Sequence, residues 1–352
     1  MSVFDHPGRP DHERVIFVND AASGLRAIIA LHDTSRGPAL GGCRVWRYEN
    51  EAAAIDDALR LSRGMTYKAA SASLPLGGGK IVVMQGAAEK TAQQFHALGQ
   101  AIDDLGGRYI VAEDVGTSPA DMLAVRAQTR YVTGIAPEHG GRGEPSPATA
   151  YGCYVGLVAT ARRALRRDDL SGVRVLVQGL GSVGLRLCRY LHEAGARLTV
   201  TDLDPQRVAK AEADFGARGV AVDDLFDVEA DILSPNALGG VLDDVRIARL
   251  RVAAIAGGAN NQLADAARHG EALRRRNILY APDYVINSGG LTHACGEYFG
   301  WDEAVVRHRV ASIASRLTEI FDVALTNGEA TQDVADRLVE ERLRGGARKL
   351  AA

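Results

Sequence analysis

The sequence predicts an α/β fold in two domains, and three observations carry that expectation. Short apolar runs rich in β-branched residues alternate with amphipathic segments of helix length along the chain. A Gly- and Pro-rich stretch, YVTGIAPEHGGRGEPSP, interrupts the alternation between Arg130 and Pro147 and marks a hinge or boundary. The length of 352 residues also exceeds the roughly 250–300 that one core usually holds.

Taken in order, VIFVND (15–20) and LRAIIALHD (25–33) read as a hairpin joined by Ala-Ala-Ser-Gly. Asn50 caps an expected helix from Glu51 to Gly64, with Ala53, Ala54, Ala58 and Leu61 near helical spacing. KIVVMQG (80–86) is a strand, residues 91–107 an amphipathic helix, and RYIVAEDVG (108–116) a strand entering a polar turn. Beyond the loop, a helix over 148–165 precedes strands at 173–179, 197–202, 230–235, 252–258 and 278–283, most of them separated by helices. A long helix pair, about 302–325 and 329–344, finishes the chain. The expected division is residues 1–140, joined by a returning C-terminal helix at about 329–352, and residues 141–328.

Composition narrows the function. Hydrophobic residues make up 46% and charged ones 24%, with a net charge of −3, which suits a soluble protein acting on small molecules. Nothing in that balance attracts nucleic acid or a membrane surface. Cys43, Cys153, Cys188 and Cys295 form no CxxC pair, and no His cluster has metal-ligand spacing, so reduced thiols and no metal are expected. The opening MSVFDHPGRPDHERV lacks the basic and apolar regions of a secretory leader, and no apolar run reaches the ~20 residues of a membrane span. The expectation is a cytoplasmic protein.

The densest motif in the second half is VRVLVQGLGSVGLRLCRYL, a strand, the turn Gly179-Leu180-Gly181-Ser182-Val183-Gly184, and a helix. In such a turn the first glycine permits the bend and the second lets main chain approach a pyrophosphate. The third lets helix pack on strand, and the helix N-terminus supplies N–H donors. The next strand ends at Asp202, 18 residues after Gly184. An acid there bonds ribose hydroxyls and repels a 2′-phosphate, so the expected cofactor is NAD on a Rossmann domain, although Arg207 lies close by in sequence.

The first half carries a second set of signals. In Gly37-Pro38-Ala39-Leu40-Gly41-Gly42-Cys43-Arg44, two glycines follow a strand, where N–H groups can face an anion. Met65-Thr66-Tyr67-Lys68 and Leu76-Gly77-Gly78-Gly79-Lys80 set two lysines 12 residues apart in what read as Gly-rich turns, open to a substrate's close approach. Two lysines facing one pocket divide the labour: one stays charged and holds a carboxylate, while the other, desolvated beside a like charge, becomes a base. Asp114, at a strand end, completes the set as a proton relay.

The stretches LHDTSRGPALGGCRVW, DDALRLSRGMTYKAASASLPLGGGKIVV and AEDVGTS resemble the Glu/Leu/Phe/Val dehydrogenase family, most of all its leucine, phenylalanine and valine members. The likeness runs on through PSPATAYG, GLGSVG, SPNALGG, AGGANNQL and APDYVINSGG, in order and over nearly the whole chain. It implies an N-terminal α/β domain with a mixed sheet, a C-terminal Rossmann domain, a cleft between them and a homo-oligomer. It implies NAD-dependent oxidative deamination of an L-amino acid to a 2-oxo acid and ammonia. Lys80 resembles the family's catalytic lysine, Lys68 its carboxylate-binding lysine, and Asp114 the acid that exchanges protons with the amine. Gly41 and Gly42 match its main-chain contacts to substrate, and Asn261 and Asn287 its orienting asparagines. Leu203, Asn236 and Asn260 join the glycine turn and Asp202 on the cofactor side.

The resemblance also bears on the side chain accepted. Glutamate members carry a lysine where this chain has Leu40 and a serine where it has Ala294, so a γ-carboxylate would lack a partner here. The implied wall is Leu40, Met65, Ala112, Leu291 and Ala294. Leucine members tend to carry valines at the last two positions, and GLTHACGEYFGW is nearer to phenylalanine members. The expectation is an apolar or aromatic amino acid. The alternatives are a dehydrogenase of a modified or pathway-specific amino acid, or, less favoured, glutamate. A silent NAD-binding regulator is the other class, and it predicts the loss of Lys68, Lys80 or Asp114, all of which are present. His293, after the glycines, reads as a packed histidine.

Overall fold

The structure, a computed structural model, describes residues 12–237 and 239–350. Most of the opening segment read as lacking a leader, and Leu238 of SPNALGG, therefore lie outside the described residues. Two compact units divide the chain: residues 1–144, 294–302 and 339–352, and residues 145–293 with 303–338.

The first unit is built on a five-stranded mixed sheet. Its strands are β1 (Arg14–Asp20), β2 (Leu25–Asp33), β3 (Ala39–Trp46), β4 (Gly77–Met84) and β5 (Tyr109–Glu113), in the order β1-β2-β4-β3-β5. The hairpin β1–β2 is antiparallel, as is β2 on β4, whereas β3 runs parallel to both β4 and β5. Alternation decides the faces. Ile81, Val83, Cys43, Val45, Tyr109 and Val111 point to one side, into a core with helices α2 (Ala92–Asp103) and α3 (Pro119–Arg126). Ile28, Ala30 and Val82 point to the other, against Ala54, Ile55, Ala58 and Leu59 of α1 (Glu51–Ser71). Three layers result: α1, the sheet, and the pair α2 and α3.

Helix α1 begins where expected, with Asn50 accepting from the Ala53 N–H at 3.0 Å. It does not stop at Gly64, however, but runs to Ser71, because Thr66 and Ala69 are buried against the sheet and extend its apolar stripe. The Gly-rich segments are also corrected. Gly41 and Gly42 lie inside β3, Gly77, Gly78 and Gly79 open β4, and Lys68 is helical. Crowding, not turning, demands those glycines: a Cβ on Gly78 would sit 2.0 Å from the Thr66 nitrogen, and one on Gly79 2.5 Å from the Tyr109 ring.

The second unit holds a six-stranded parallel sheet. Helix α4 (Ser146–Leu165) leads to β6 (Arg174–Gln178), α5 (Ser182–Glu193), β7 (Arg197–Thr201), α6 (Pro205–Phe215) and β8 (Arg218–Gly219). The other half is β9 (Ile232–Pro235), α7 (Asp244–Arg249), β10 (Ala254–Ile255), α8 (Ala266–Arg275), β11 (Leu279–Tyr280) and α9 (Asp283–Ile286). The order β11-β10-β9-β6-β7-β8 reverses direction at β6, the switch point of a doubly wound Rossmann sheet. Strands β10 and β11 are only two residues each, shorter than their apolar runs, and β8 had no counterpart in the sequence reading.

Four helices close the chain: α10 (Gly289–Tyr298), α11 (Glu303–Ala311), α12 (Ile313–Asn327) and α13 (Thr331–Leu350). The single helix expected over 302–325 is thus two, broken at Ser312. Helix α13 starts in the second unit and ends in the first, where Arg342 donates to the Ser71 carbonyl at 3.1 Å and Tyr67 to Glu340 at 3.2 Å. No helix among the described residues is long and apolar enough to cross a membrane.

Candidate active site

Lys80 is buried in the middle of β4, 5% exposed, on the face that α1 covers. Its ammonium is hydrogen-bonded to Oδ2 of Asp114, just past the end of β5. Burial pulls the Lys80 ammonium below its ordinary value; Asp114 opposes that pull without cancelling it, and Arg44 adds to it. Burial would raise the Asp114 carboxyl, but Lys80 and Arg44 together hold it below the usual carboxylate range. The Asp114 main chain is pinned by Thr117, whose hydroxyl accepts the Asp114 N–H at 2.9 Å.

Gly42 makes room for this pair, since a Cβ there would lie 2.6 Å from the Asp114 Cβ. It sits beside Ala112 in register, with Leu40 two residues earlier on the same face of β3. Leu40 is buried and Ala112 half-buried. Met65 and Lys68 are both half-buried and occupy one face of α1, three residues apart. Leu291 and Ala294 share a face of α10, both buried. Leu291 belongs to the second unit and Ala294 to the first. Glu297, also on α10, accepts the Gly134 N–H at 3.1 Å and the Ile135 N–H at 3.4 Å.

Arg44 was quoted in the sequence reading but given no role. Its Nε donates to Asp114 Oδ2 at 3.2 Å and its Nη1 to Asp57 Oδ2 at 2.9 Å. Tyr48 donates to the same Asp57 oxygen at 2.6 Å, and Arg60 to Oδ1 at 2.7 Å. The only sequence clue was that Arg44 shares the parity of Leu40 and Gly42 on β3. Cys43, on the other face, is inert, because burial pushes its thiol up to about 12.

In the second unit, Gly179 takes φ +87° after β6, and Gly181 is the N-cap of α5 with no side-chain cap. The first N–H groups of α5, from Ser182 and Val183 on, therefore have no side chain competing for them. A Cβ on Gly184 would lie 1.9 Å from the Gly179 carbonyl, which is why the third glycine is a glycine. Asp202 follows β7, and its Oδ2 accepts the Leu180 N–H at 2.6 Å while Oδ1 accepts the Asp204 N–H at 2.8 Å. Arg207 approaches Asp202 at 3.8 Å and Asp204 at 3.4 Å, and Leu203 is 88% exposed beside them.

Past β9, Asn236 Oδ1 accepts the Gly258 N–H at 2.9 Å. The Asn287 amide donates to Asn260 Oδ1 at 2.7 Å and to the Gly258 carbonyl at 3.3 Å. Asn261 stands in the left-handed region at φ +50°. Asn236, Asn260, Asn261 and Asn287 thus gather around the loop after β10. This donor set fits a dinucleotide: a bare helix start for a pyrophosphate, an acid one strand over for a ribose, and amides beyond β9 and β10 for the far ring. Among the described residues no group of His, Cys, Asp and Glu could hold a metal.

Residues 12–131 match the family described as Glu/Leu/Phe/Val dehydrogenase, dimerisation domain, and residues 204–351 match Glutamate/Leucine/Phenylalanine/Valine dehydrogenase. A leucine dehydrogenase of Geobacillus stearothermophilus is 48% identical, over 97% of this chain and 94% of its own length. A phenylalanine dehydrogenase of Caldalkalibacillus thermarum is 42% identical, over 96% and 93%. The crystal structure of L-tryptophan dehydrogenase from Nostoc punctiforme superposes with a TM-score of 0.85 at 41% identity, covering 96% of this chain and 97% of that one.

Proposed function

The chain belongs to the Glu/Leu/Phe/Val dehydrogenase family and is an amino-acid dehydrogenase, and from that premise we propose that it uses NAD to deaminate apolar or aromatic L-amino acids. The observation that carries this reading is the pair of buried Lys80 and half-buried Asp114, an ammonium and a carboxylate joined by one hydrogen bond. Lys68 holds the substrate carboxylate, with the main chain at Gly41 and Gly42 alongside. Bound NAD supplies the acceptor for the hydride that leaves the substrate Cα, turning the amine into an imine. Neutral Lys80 takes a proton from water as its oxygen attacks the imine carbon. Asp114, which took a proton from the substrate ammonium before the hydride left, returns it to the nitrogen. As the C–N bond breaks the hydroxyl proton passes to the Asp114 carboxylate, and ammonia and the 2-oxo acid depart. The lowered proton affinity of Lys80 supports its role as the base near neutrality.

For the cofactor, Gly179, Leu180, Gly181, Ser182, Val183 and Gly184 receive the pyrophosphate, Asp202 and Leu203 the adenosine end, and Asn236, Asn260, Asn261 and Asn287 the nicotinamide and substrate. The half-exposed carboxylate of Asp204 beside Asp202 adds to the repulsion of a 2′-phosphate and favours NAD over NADP. A homo-oligomer is supported by the match to a dimerisation domain, and a cytoplasmic setting by cysteines that form no CxxC pair in the sequence.

The wall that the resemblance implies, Leu40, Met65, Ala112, Leu291 and Ala294, consists of uncharged side chains and offers a γ-carboxylate no counter-charge. Leaving such a charge desolvated costs several kcal/mol, and each ~1.4 kcal/mol is tenfold in kcat/KM. Leucine, phenylalanine or tryptophan should therefore exceed glutamate by at least ~1,000-fold. Among apolar substrates the differences should be shallower, since a methylene is worth only ~1–3 kcal/mol. Initial rates of NADH formation on valine, leucine, phenylalanine, tryptophan and glutamate test this. Glutamate within tenfold of the best apolar substrate would overturn the assignment.

A further inference from the structure

A base that works by giving up its proton leaves its partner exposed. Once Lys80 is neutral, Asp114 is a largely buried carboxylate without its nearest cation, and an unpaired charge in such a place picks up a proton. Yet the carboxylate has a second cation that never titrates. Arg44 Nε reaches the same Oδ2 that Lys80 uses, at 3.2 Å. The guanidinium is itself fixed from behind, with Nη1 on Asp57 at 2.9 Å, and Asp57 is gripped by Tyr48 at 2.6 Å and Arg60 at 2.7 Å. We propose that Arg44 is the positioning residue of the reaction: it holds Asp114 against Lys80 and keeps the carboxylate charged, ready to take the substrate ammonium's proton, when Lys80 is neutral.

The fork geometry is what suits arginine to this task, because two donors of one rigid plane address two carboxylates at once. The titratable and charged groups around the pair come from every element packed on it. They are Cys43 and Arg44 on β3, Tyr109 on β5, Asp57 on α1 and Tyr48 in the link between β3 and α1, with His32 on β2 bonded to Thr66 of α1. Arg44 joins Asp114 to Asp57. Its charge also disfavours a proton on Lys80, in the same direction as burial.

The inference rests on Lys80 being the base, so Lys80→Ala is measured alongside; turnover persisting there would fail that reading whatever Arg44 does. The test is kcat/KM against pH with NAD and leucine. The amine ionisation of the substrate is common to all variants, so differences between profiles report the enzyme. Arg44→Met removes a cation, Lys80 holds its proton longer, and the acid limb should move up by about one pH unit with at least a tenfold loss at the wild-type optimum. Arg44→Lys keeps the charge and should return the limb close to its wild-type position while leaving the rate low. Asp57→Asn leaves the guanidinium uncompensated, so its limb should move the opposite way, to lower pH. A limb unmoved in both Arg44→Met and Asp57→Asn overturns the inference, however much rate is lost. Where melting curves show Arg44→Met to be unfolded, the Asp57→Asn profile decides.

Discussion

The two units build their halves of the chemistry from opposite materials. In the second unit the proposed anion site is main chain: six consecutive residues, 179–184, shape a turn and lead into a helix whose N-cap, Gly181, has no side chain. In the first unit the proposed site is side chain: Arg44 of β3, Asp57 of α1, Lys80 of β4 and Asp114 at the exit of β5 meet only because the sheet and α1 are stacked. Main-chain donors bind a phosphate that never changes its charge. Side chains are required where a proton must move, since only they can have their affinities set by burial and neighbours. The difference predicts that damage in one unit should leave the other's task intact.

Lys80→Ala is the largest test of that separation. Removing the base should lower kcat by about 10²–10⁴-fold, while NAD affinity stays as in the wild type. Stopped-flow or steady-state rates give the first quantity and quenching of protein fluorescence by NADH the second. A parallel loss of NAD affinity would mean that the two halves are not independent.

The same contrast explains what could be read in advance. The turn at 179–184, its strand and helix, and Asp202 were legible because a main-chain site is written in consecutive residues with fixed glycine positions. The alternation of strands and helices was likewise local. The glycines of β3 and β4 misled, because glycine's freedom suggests turns, whereas here the missing Cβ atoms let strands, helix and the Tyr109 ring close on one another. The Arg44–Asp57 link was invisible: pairing residues 13 apart across a strand and a helix depends on the packing of α1, which no spacing rule encodes. Lys68 and Lys80 were singled out by charge near glycines and Asp114 by its place at a strand end, and their grouping was implied by resemblance; the pair Lys80 and Asp114 within one hydrogen bond needed coordinates.

One substitution made in both units sharpens the comparison further. Gly42→Ala drives a Cβ toward the Asp114 Cβ, 2.6 Å away, and Gly184→Ala drives one toward the Gly179 carbonyl, 1.9 Å away. The first should shift Asp114 off Lys80 and lower kcat by about 10²-fold, the scale of an ångström's misplacement, with NAD binding kept. The second should spoil the turn and weaken NAD binding, with far-UV circular dichroism confirming that both variants fold. Equal effects of both on NAD affinity would erase the distinction.

The smallest effect concerns Asp202, where the two kinds of material overlap. Its Oδ2 accepts the Leu180 N–H at 2.6 Å, so this side chain supports the main-chain turn in addition to its proposed contact with the ribose. Asp202→Ala removes both functions, and NAD should weaken together with its advantage over NADP. Asp202→Asn keeps an oxygen to accept from Leu180 but loses the negative charge. Hydrogen bonds to a charged group are worth ~1.5–3 kcal/mol against ~1 for a neutral one, so the change is worth about tenfold or less. Asp202→Asn should therefore retain most of its NAD affinity while the ratio of kcat/KM for NAD over NADP falls by up to about tenfold. Arg207, half-exposed and 3.8 Å from this carboxylate, would then be freer to meet a 2′-phosphate. If Asp202→Asn loses NAD affinity as fully as Asp202→Ala, charge rather than the bond to Leu180 is what holds the turn. If the NAD over NADP ratio does not change in either variant, Asp202 does not select the cofactor.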